Sequence, residues 1–187
     1  MTIYAALLRG INVGGNHLVK MADLKKLFEG LGLARVQTYI QSGNVLFDSA
    51  EEEAPLRLRL ERELEAACGF PIPVLLRTAA ELRDIVANCP FPEEELAQAA
   101  ANSKGETLYV SMLLEPPAND ALERLRPYAN EDDRFRDVGR DIHFLFGSGL
   151  SDSKLGNNLQ KLKLPTTMRN WKTMNKLVAL SGAMESE

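Results

Sequence analysis

The chain has 187 residues, a net charge of −4 and an apolar fraction of 45%, which are the values of an ordinary globular protein. A chain of this length buries about 70% of the surface that its unfolded form exposes, so it needs no metal or disulfide to hold a core. These values exclude a wholly disordered chain, a collagen-like fibre and a disulfide-rich scaffold. They predict one domain, or two small ones.

The use of cysteine and the apolar runs favour a cytoplasmic protein. Cys68 and Cys89 are the two cysteines, and their number suits reduced thiols, although the sequence leaves a disulfide between them open. No basic stretch with a cleavage site precedes the first apolar run, so we expect no signal peptide. No apolar run approaches the roughly 18 residues of a membrane span. We therefore expect no membrane partner.

The charge is distributed unevenly along the chain. Residues 79–147 hold seven basic and fourteen acidic side chains, whereas residues 148–187 hold six basic and three acidic ones. One interpretation is that the basic C-terminal segment docks on the acidic middle of the chain. The other is that this segment forms a surface for an anionic partner.

The first half of the chain has the pattern of a split β-α-β unit. Its predicted elements follow as strand, helix, strand, strand, helix and strand, over residues 3–8, 21–31, 36–40, 45–47, 55–68 and 72–76. This order is that of a ferredoxin-like unit. Gln41–Asn44 supplies the turn between the two middle strands, because glycine and asparagine accept positive φ. Pro55 is predicted to be the first residue of the second helix, and Thr78 with Glu81 forms a capping box for a third helix.

The second half repeats the order strand, helix, hairpin and helix. Its predicted elements are a strand over 107–114, a helix over 119–128, strands over 134–138 and 141–146, and short and long helices over 159–162 and 170–180. Gly139 and Arg140 form the predicted hairpin turn, and Thr167 is the predicted N-cap of the last helix. The sequence thus predicts two related α+β halves, residues 1–78 and residues 79–187.

Four segments resemble the motifs of one family. They are Leu7–Gly15 (LLRGINVGG), Tyr39–Val45 (YIQSGNV), Ser153–Leu155 (SKL) and Thr166–Thr173 (TTMRNWKT). The chain resembles the DUF1697 family of uncharacterised bacterial proteins over nearly its whole length. The resemblance implies an α+β fold with two ferredoxin-like (α/β-plait) subdomains, and it implies no activity. Lys172 departs from the motif, where a smaller polar residue is expected, and adds positive charge beside Arg169.

The glycine-rich segment after the first strand is not a standard nucleotide motif. Gly15 is followed by Asn16 and His17 rather than by the Lys-Ser/Thr pair of a phosphate-binding loop. The spacing of Gly10, Gly14 and Gly15 also differs from the dinucleotide fingerprint. Two interpretations stay open: glycines that serve only tight turns, and an anion site of another kind.

Ten residues are the candidates for ligand binding, because they combine guanidinium, ammonium, hydroxyl and amide groups with exposed backbone N–H groups. They are Arg9, Asn12, Gly14, Gly15, Gln41, Ser42, Asn44, Lys154, Arg169 and Asn170. Such donors suit a carboxylate or a phosphate. We expect Arg169 and Asn170 in the first turn of the last helix, where N–H groups are exposed. The alternative is that the turn amides bond only their own backbone.

No catalytic residue is predicted, and whether the protein is an enzyme stays open. Ser42 lacks the Gly-x-Ser-x-Gly surroundings of an elbow nucleophile. His17 is a better functional candidate than His143, which alternates with apolar residues in a strand. Two histidines and two cysteines have no metal-ligand spacing, so we expect no metal. Because the glycine spacing does not match a dinucleotide fingerprint, we also expect no cofactor.

Two functions remain from the sequence. The first is binding of a small anionic ligand, bearing phosphate or carboxylate, through the polar glycine-rich loops. The second is a non-catalytic module whose basic C-terminal face binds nucleic acid or another protein.

Overall fold

A computed structural model of the chain describes residues 1–186. The chain divides into two compact units: residues 1–83 with the C-terminal segment from Leu177, and residues 84–176. Each unit contains one four-stranded sheet. The division into subdomains at residue 78 stays a prediction.

The first unit has the ferredoxin-like topology, as predicted. Its elements are β1 (Thr2–Leu8), α1 (Met21–Gly30), β2 (Ala34–Tyr39), β3 (Asn44–Ser49), α2 (Glu53–Cys68) and β4 (Val74–Thr78). The antiparallel sheet has the order β2-β3-β1-β4. This order places β1 in the centre of the sheet, with its C-terminal end beside the turn between β2 and β3.

The core of the first unit lies between one face of the sheet and the two helices. Leu56, Leu60 and Leu64 are fully buried at the spacing of one helical face, and each such burial stabilises the fold by about 1.5–3 kcal/mol. Phe28 of α1 meets Phe47 of β3 edge to face, with 5.4 Å between ring centroids. Both faces of β1 are buried, which explains its continuous apolar run.

The second unit repeats the topology with a reduced second helix. Its strands and helices are α4 (Glu93–Asn102), β5 (Leu108–Met112), α5 (Asn119–Glu123), β6 (Asp133–Val138), β7 (Asp141–Phe146), a 3-10 helix (Gly156–Leu162) and β8 (Thr167–Asn170). The sheet order is β6-β7-β5-β8. Two further helices belong in part to each unit, α3 (Ala79–Ala87) and α6 (Trp171–Glu185). The two-subdomain α+β fold is therefore confirmed.

The prediction for residues 167–170 was wrong. These residues form β8, which pairs with β5 through Tyr109↔Asn170 and Met112↔Thr167, instead of the cap and first turn of a helix. The helix begins at Trp171, and its cap is Asn170, whose Oδ1 accepts the Thr173 N–H at 2.8 Å. A four-residue strand is too short to show a period, and only its pairing with β5 identifies it.

Helix ends were predicted in part. The Thr78 capping box is confirmed, because Glu81 N donates to Thr78 Oγ1 at 3.2 Å and Thr78 N donates to Glu81 Oε2 at 2.8 Å. The second helix begins at Glu53 rather than at Pro55. The helix expected over 119–128 ends at Glu123, and a 3-10 turn containing Pro127 follows, since proline has no N–H to continue the helical bonds.

Both hairpins form at the predicted places. Val138 pairs with Asp141 around a two-residue turn, in which Gly139 has φ 60°. In the first unit Tyr39 pairs with Asn44. Ile40 was predicted in the strand but lies in the turn, with φ 52°.

Candidate functional site

A glycine-rich segment leaves the end of β1 and crosses the surface of the first unit before α1. We call residues 10–19 the glycine loop. Ile11 and Val19 are buried and anchor it to the core. Residues 13–18 between them are exposed. Val13 and Asn16 pair as a β-bridge, and Gly14 and Gly15 have φ of 60° and 76°, which are the positive values that a tight two-residue turn requires.

The side chain of Asn12 holds this loop to the first hairpin. Its Nδ2 donates to the Gln41 carbonyl at 2.8 Å and to the Val19 carbonyl at 3.0 Å, and its Oδ1 accepts the Val19 N–H at 2.9 Å. Asn12 also has φ 55°, a conformation that asparagine adopts more readily than most residues. The Asn12 side chain therefore acts on the backbone of both loops.

Gly43 makes the second junction between the two loops. The Leu8 N–H donates to its carbonyl at 2.9 Å. A Cβ at this position would lie 2.6 Å from Ile11 Cδ1, and φ is 87°. Only glycine fits such a close approach at positive φ. The glycine loop and the turn Ile40–Gly43 form one continuous surface of the first unit, which we call the loop surface.

The structure gathers the N-terminal candidates at this loop surface. Arg9, Gln41 and Ser42 are exposed, and the Arg9 N–H donates to the Pro73 carbonyl at 3.1 Å. Asn44 is fully buried, and its Nδ2 donates to the Tyr39 carbonyl at 2.8 Å. The amides of Asn12 and Asn44 thus hold the turns in shape. That these residues bind a ligand stays a prediction.

His17 lies in the glycine loop in a fixed orientation. Its Nδ1 is 3.2 Å from the Gly10 carbonyl oxygen, and since a carbonyl only accepts, Nδ1 carries the hydrogen of this contact. The imidazole stacks on Phe70 with 4.2 Å between ring centroids. Sequence reasoning missed Phe70, because 53 residues separate it from His17 and no local pattern connects them.

In the second unit, Lys154 and Arg169 lie on opposite faces of the sheet. Arg169 pairs with Val110, which also pairs with His143, so these three share one face. Lys154 is exposed, and its Nζ lies 5.9 Å from the Tyr128 ring. Tyr128 packs in the core cluster of the other face. The structure therefore does not bring these two candidates together.

Arg169 is a buried residue of an edge strand. Only 9% of its surface is exposed, and its Nη1 donates to the Met168 carbonyl at 3.0 Å. Burial lowers the pKa of Arg169 to about 10, so it is charged at neutral pH. Asn170 beside it caps α6.

Ser153, from the third motif, has a structural role in the second unit. It is buried, and its hydroxyl donates to Asp133 Oδ2 at 2.6 Å while its oxygen accepts the Gly156 N–H at 3.0 Å. Asp133 Oδ1 also accepts the Gly147 N–H at 3.0 Å. The motif thus fixes the loop before the 3-10 helix to the start of β6.

The lysines of the basic segment are exposed. They are Lys154, Lys161, Lys163, Lys172 and Lys176. Within the described part of the second unit, none of them forms an ion pair with an acidic side chain. Ion pairing with the acidic residues of this unit therefore does not neutralise the segment.

Over residues 1–186, no group of three or more His, Cys, Asp or Glu side chains is arranged to hold a metal ion. In the same range, each helix is too short or too polar to cross a membrane.

The family assignment comes from a match over the first three quarters of the chain. The sequence matches the family described as a protein of unknown function, DUF1697, over residues 1–143. The chain belongs to the DUF1697 family. The glycine loop and the YIQSGNV turn lie within the matched residues of this DUF1697 protein, whereas the segments around Ser153 and Arg169 lie beyond them.

A solved structure supports the fold of this DUF1697 protein. It is similar to the conserved bacterial protein SP0830 from Streptococcus pneumoniae, with 28% identity and a TM-score of 0.76, over 97% of this chain and 99% of that one. No curated protein matches the sequence.

Proposed function

We propose that this protein binds a small anion, a phosphate or a carboxylate group, at the loop surface of its first unit. The observation that carries the proposal is the three-bond attachment of Asn12 to the glycine loop and to the hairpin turn. A side chain that fixes two exposed polar loops to each other organises their donors before any ligand arrives. Such preorganisation lowers the cost of binding.

The donors offered to the anion are of two kinds. The turn at the loop tip is closed by a bond from Asn16 N to the Val13 carbonyl at 3.1 Å, which uses neither the Gly14 nor the Gly15 N–H. Successive backbone N–H groups in exposed turns form concave anion sites. Arg9 adds a guanidinium at the start of the loop, and guanidinium forks bind carboxylate and phosphate strongly.

The local charge supports the same conclusion. Residues 9–22 contain Arg9 and Lys20 but no aspartate or glutamate. The segment itself therefore carries a net positive charge, although the whole chain is acidic. Such a charge favours the approach of an anion.

Isothermal titration calorimetry at low salt with inorganic phosphate, pyrophosphate and succinate tests the proposal. We expect one saturable site for at least one of these anions, and at least about tenfold weaker binding in Arg9→Gln, since charge-assisted hydrogen bonds contribute roughly 1.5–3 kcal/mol. Arg62→Gln is the matched control, because Arg62 is exposed on α2 and pairs with the neighbouring Glu63 at 2.9 Å. Equal loss in both variants, or no binding of any anion, would refute the site.

The exposed lysines support a second candidate function. They suit a module that binds nucleic acid or an acidic protein through the C-terminal segment, since unpaired cations release the counterions of a polyanion. Fluorescence anisotropy with a single-stranded oligonucleotide tests it. Binding that weakens steeply with salt and is lost in a Lys172→Gln/Lys176→Gln variant would support this function over the first.

A further inference from the structure

The imidazole of His17 stacks on Phe70 through one of its faces, with the two ring planes inclined by only 12°. Among residues 1–186, no other ring contacts His17, and the residue is exposed. The face of His17 turned away from Phe70 therefore has no aromatic partner among the described residues, and it is the face on which a third planar group would stack.

The edge of the same ring is fixed beside the proposed anion site. The contact from Nδ1 to the Gly10 carbonyl oxygen, at 3.2 Å, holds the ring against the residue that directly follows Arg9. The backbone at His17 has φ 50°, a left-handed conformation that histidine, like asparagine, adopts more often than most residues.

Two exposed aliphatic side chains lie in the same loop as the ring. Leu18 is 72% exposed and Val13 is 67% exposed, and both lie in the glycine loop with His17. An inorganic anion makes no use of such surface, whereas a ligand with a flat, weakly polar ring does.

We propose that the anion bound at the loop surface is the phosphate of a nucleotide, whose base stacks on the face of His17 opposite Phe70. This inference rests on the proposed anion-binding function and names its ligand class. Arg9 and the N–H groups of Gly14 and Gly15 bind the phosphate, and the His17–Phe70 stack binds the base. Stacking accepts every base, so we expect affinity for purine and pyrimidine nucleotides alike.

Proton NMR gives a direct readout, because the chain has two histidines. The probes are inorganic phosphate, ribose 5-phosphate, AMP and UMP. We expect both nucleotides to bind at least about fivefold more tightly than ribose 5-phosphate, which is the factor at the lower end of the contribution of one stacked base. The ring current of the base shifts the carbon-bound protons of His17 upfield. His143 is fully buried, so its signals are the internal control and stay in place.

The variant His17→Asn removes the ring and keeps a residue that accepts positive φ. In this variant we expect AMP to bind with the affinity of ribose 5-phosphate, while the affinity for ribose 5-phosphate itself is unchanged. Asn16→Ala is the matched control, because it changes an exposed side chain of the same loop without touching the ring stack. It leaves the preference for AMP intact.

The outcomes separate this inference from the function on which it rests. Equal affinities for AMP and ribose 5-phosphate, with no shift of the His17 proton signals, would refute the proposal that the ligand is a nucleotide. The proposed anion site would then still stand. No binding of any of the four probes overturns both. A His17 shift with octauridylate but with neither mononucleotide supports the same chemistry, with a single strand as the source of the nucleotide.

Discussion

Asn12 Nδ2 donates a hydrogen bond to the carbonyl oxygen of Gln41, 29 residues further along the chain, at 2.8 Å. This bond joins the LLRGINVGG segment to the YIQSGNV segment. Two separate sequence motifs thus form one surface, because the Asn12 side chain of the first motif donates a hydrogen bond to the backbone of the second.

Asn12→Ala should therefore loosen the loop surface. It removes three hydrogen bonds, each with a net contribution of about 1 kcal/mol, and leaves backbone groups without their partner. We expect a loss of about 2–3 kcal/mol in the free energy of unfolding, measured by urea denaturation. Asn16→Ala, in the same loop, should change stability by less than about 0.5 kcal/mol. Similar losses in the two variants would show that Asn12 does not brace the loops.

A pair of glycine variants separates backbone strain from steric conflict. Gly10 and Gly43 both have positive φ, 76° and 87°, but a Cβ at Gly10 meets open space while one at Gly43 meets Ile11. Gly10→Ala should cost about 1–2 kcal/mol, the price of the left-handed conformation alone. Gly43→Ala should cost a further 1–3 kcal/mol or so from overpacking. Denaturation midpoints of the two variants check this difference, and equal midpoints would contradict it.

Ser153→Ala should destabilise the second unit. The substitution leaves the buried Asp133 carboxylate without its hydroxyl donor at 2.6 Å and the Gly156 N–H without its acceptor. We expect a loss of about 1–3 kcal/mol in the free energy of unfolding. Ser151→Ala, in the exposed part of the same loop, is the control. A double-mutant cycle with Asp133→Asn should give a clear coupling energy, and additive effects would argue against the contact.

Acid should destabilise the protein through His143. Burial lowers the pKa of His143 below its usual 6.5, so the folded state holds the neutral ring and the unfolded state binds a proton first. This contribution to stability is complete above about pH 6.5 and is lost as the pH falls below that value. His143→Gln should flatten the decline in thermal midpoint between pH 7 and pH 5. An unchanged slope would show that other groups cause the acid sensitivity.

Local chemistry made much of the fold predictable. The Thr78 capping box, the hairpin at Gly139 and the order of elements in residues 1–78 all follow from patterns within a few residues. The strand β8 does not, because four residues carry no period and its assignment depends on pairing with a distant strand. The burial of Arg169 was not predicted either. The sequence placed this residue in the first turn of a helix, where a charged side chain is expected to be exposed.

The candidate site was predictable in composition but not in geometry. The glycines, the amide residues and Arg9 can be identified in the sequence, and in the structure they lie together at the loop surface. The roles of individual groups are not visible, because Asn12 and Asn44 use their amides on backbone groups that only the folded chain brings close. The stack of His17 on Phe70 likewise depends on the packing of two loops that are far apart in sequence.

The passage of α6 from the second unit into the first has a consequence for biosynthesis. Arg35 Nη1 donates to the Met184 carbonyl at 2.6 Å, and Arg83 forms an ion pair with Glu185, so the first unit includes side-chain contacts from the end of α6. Domains usually fold in order of emergence from the ribosome, at about 5–20 residues per second. At this rate, synthesis of residues 84–186 takes roughly 5–20 s. The contacts of Arg35 and Arg83 with the end of α6 form only after that synthesis. A stalled or truncated translation product would expose an unfinished first unit to proteases.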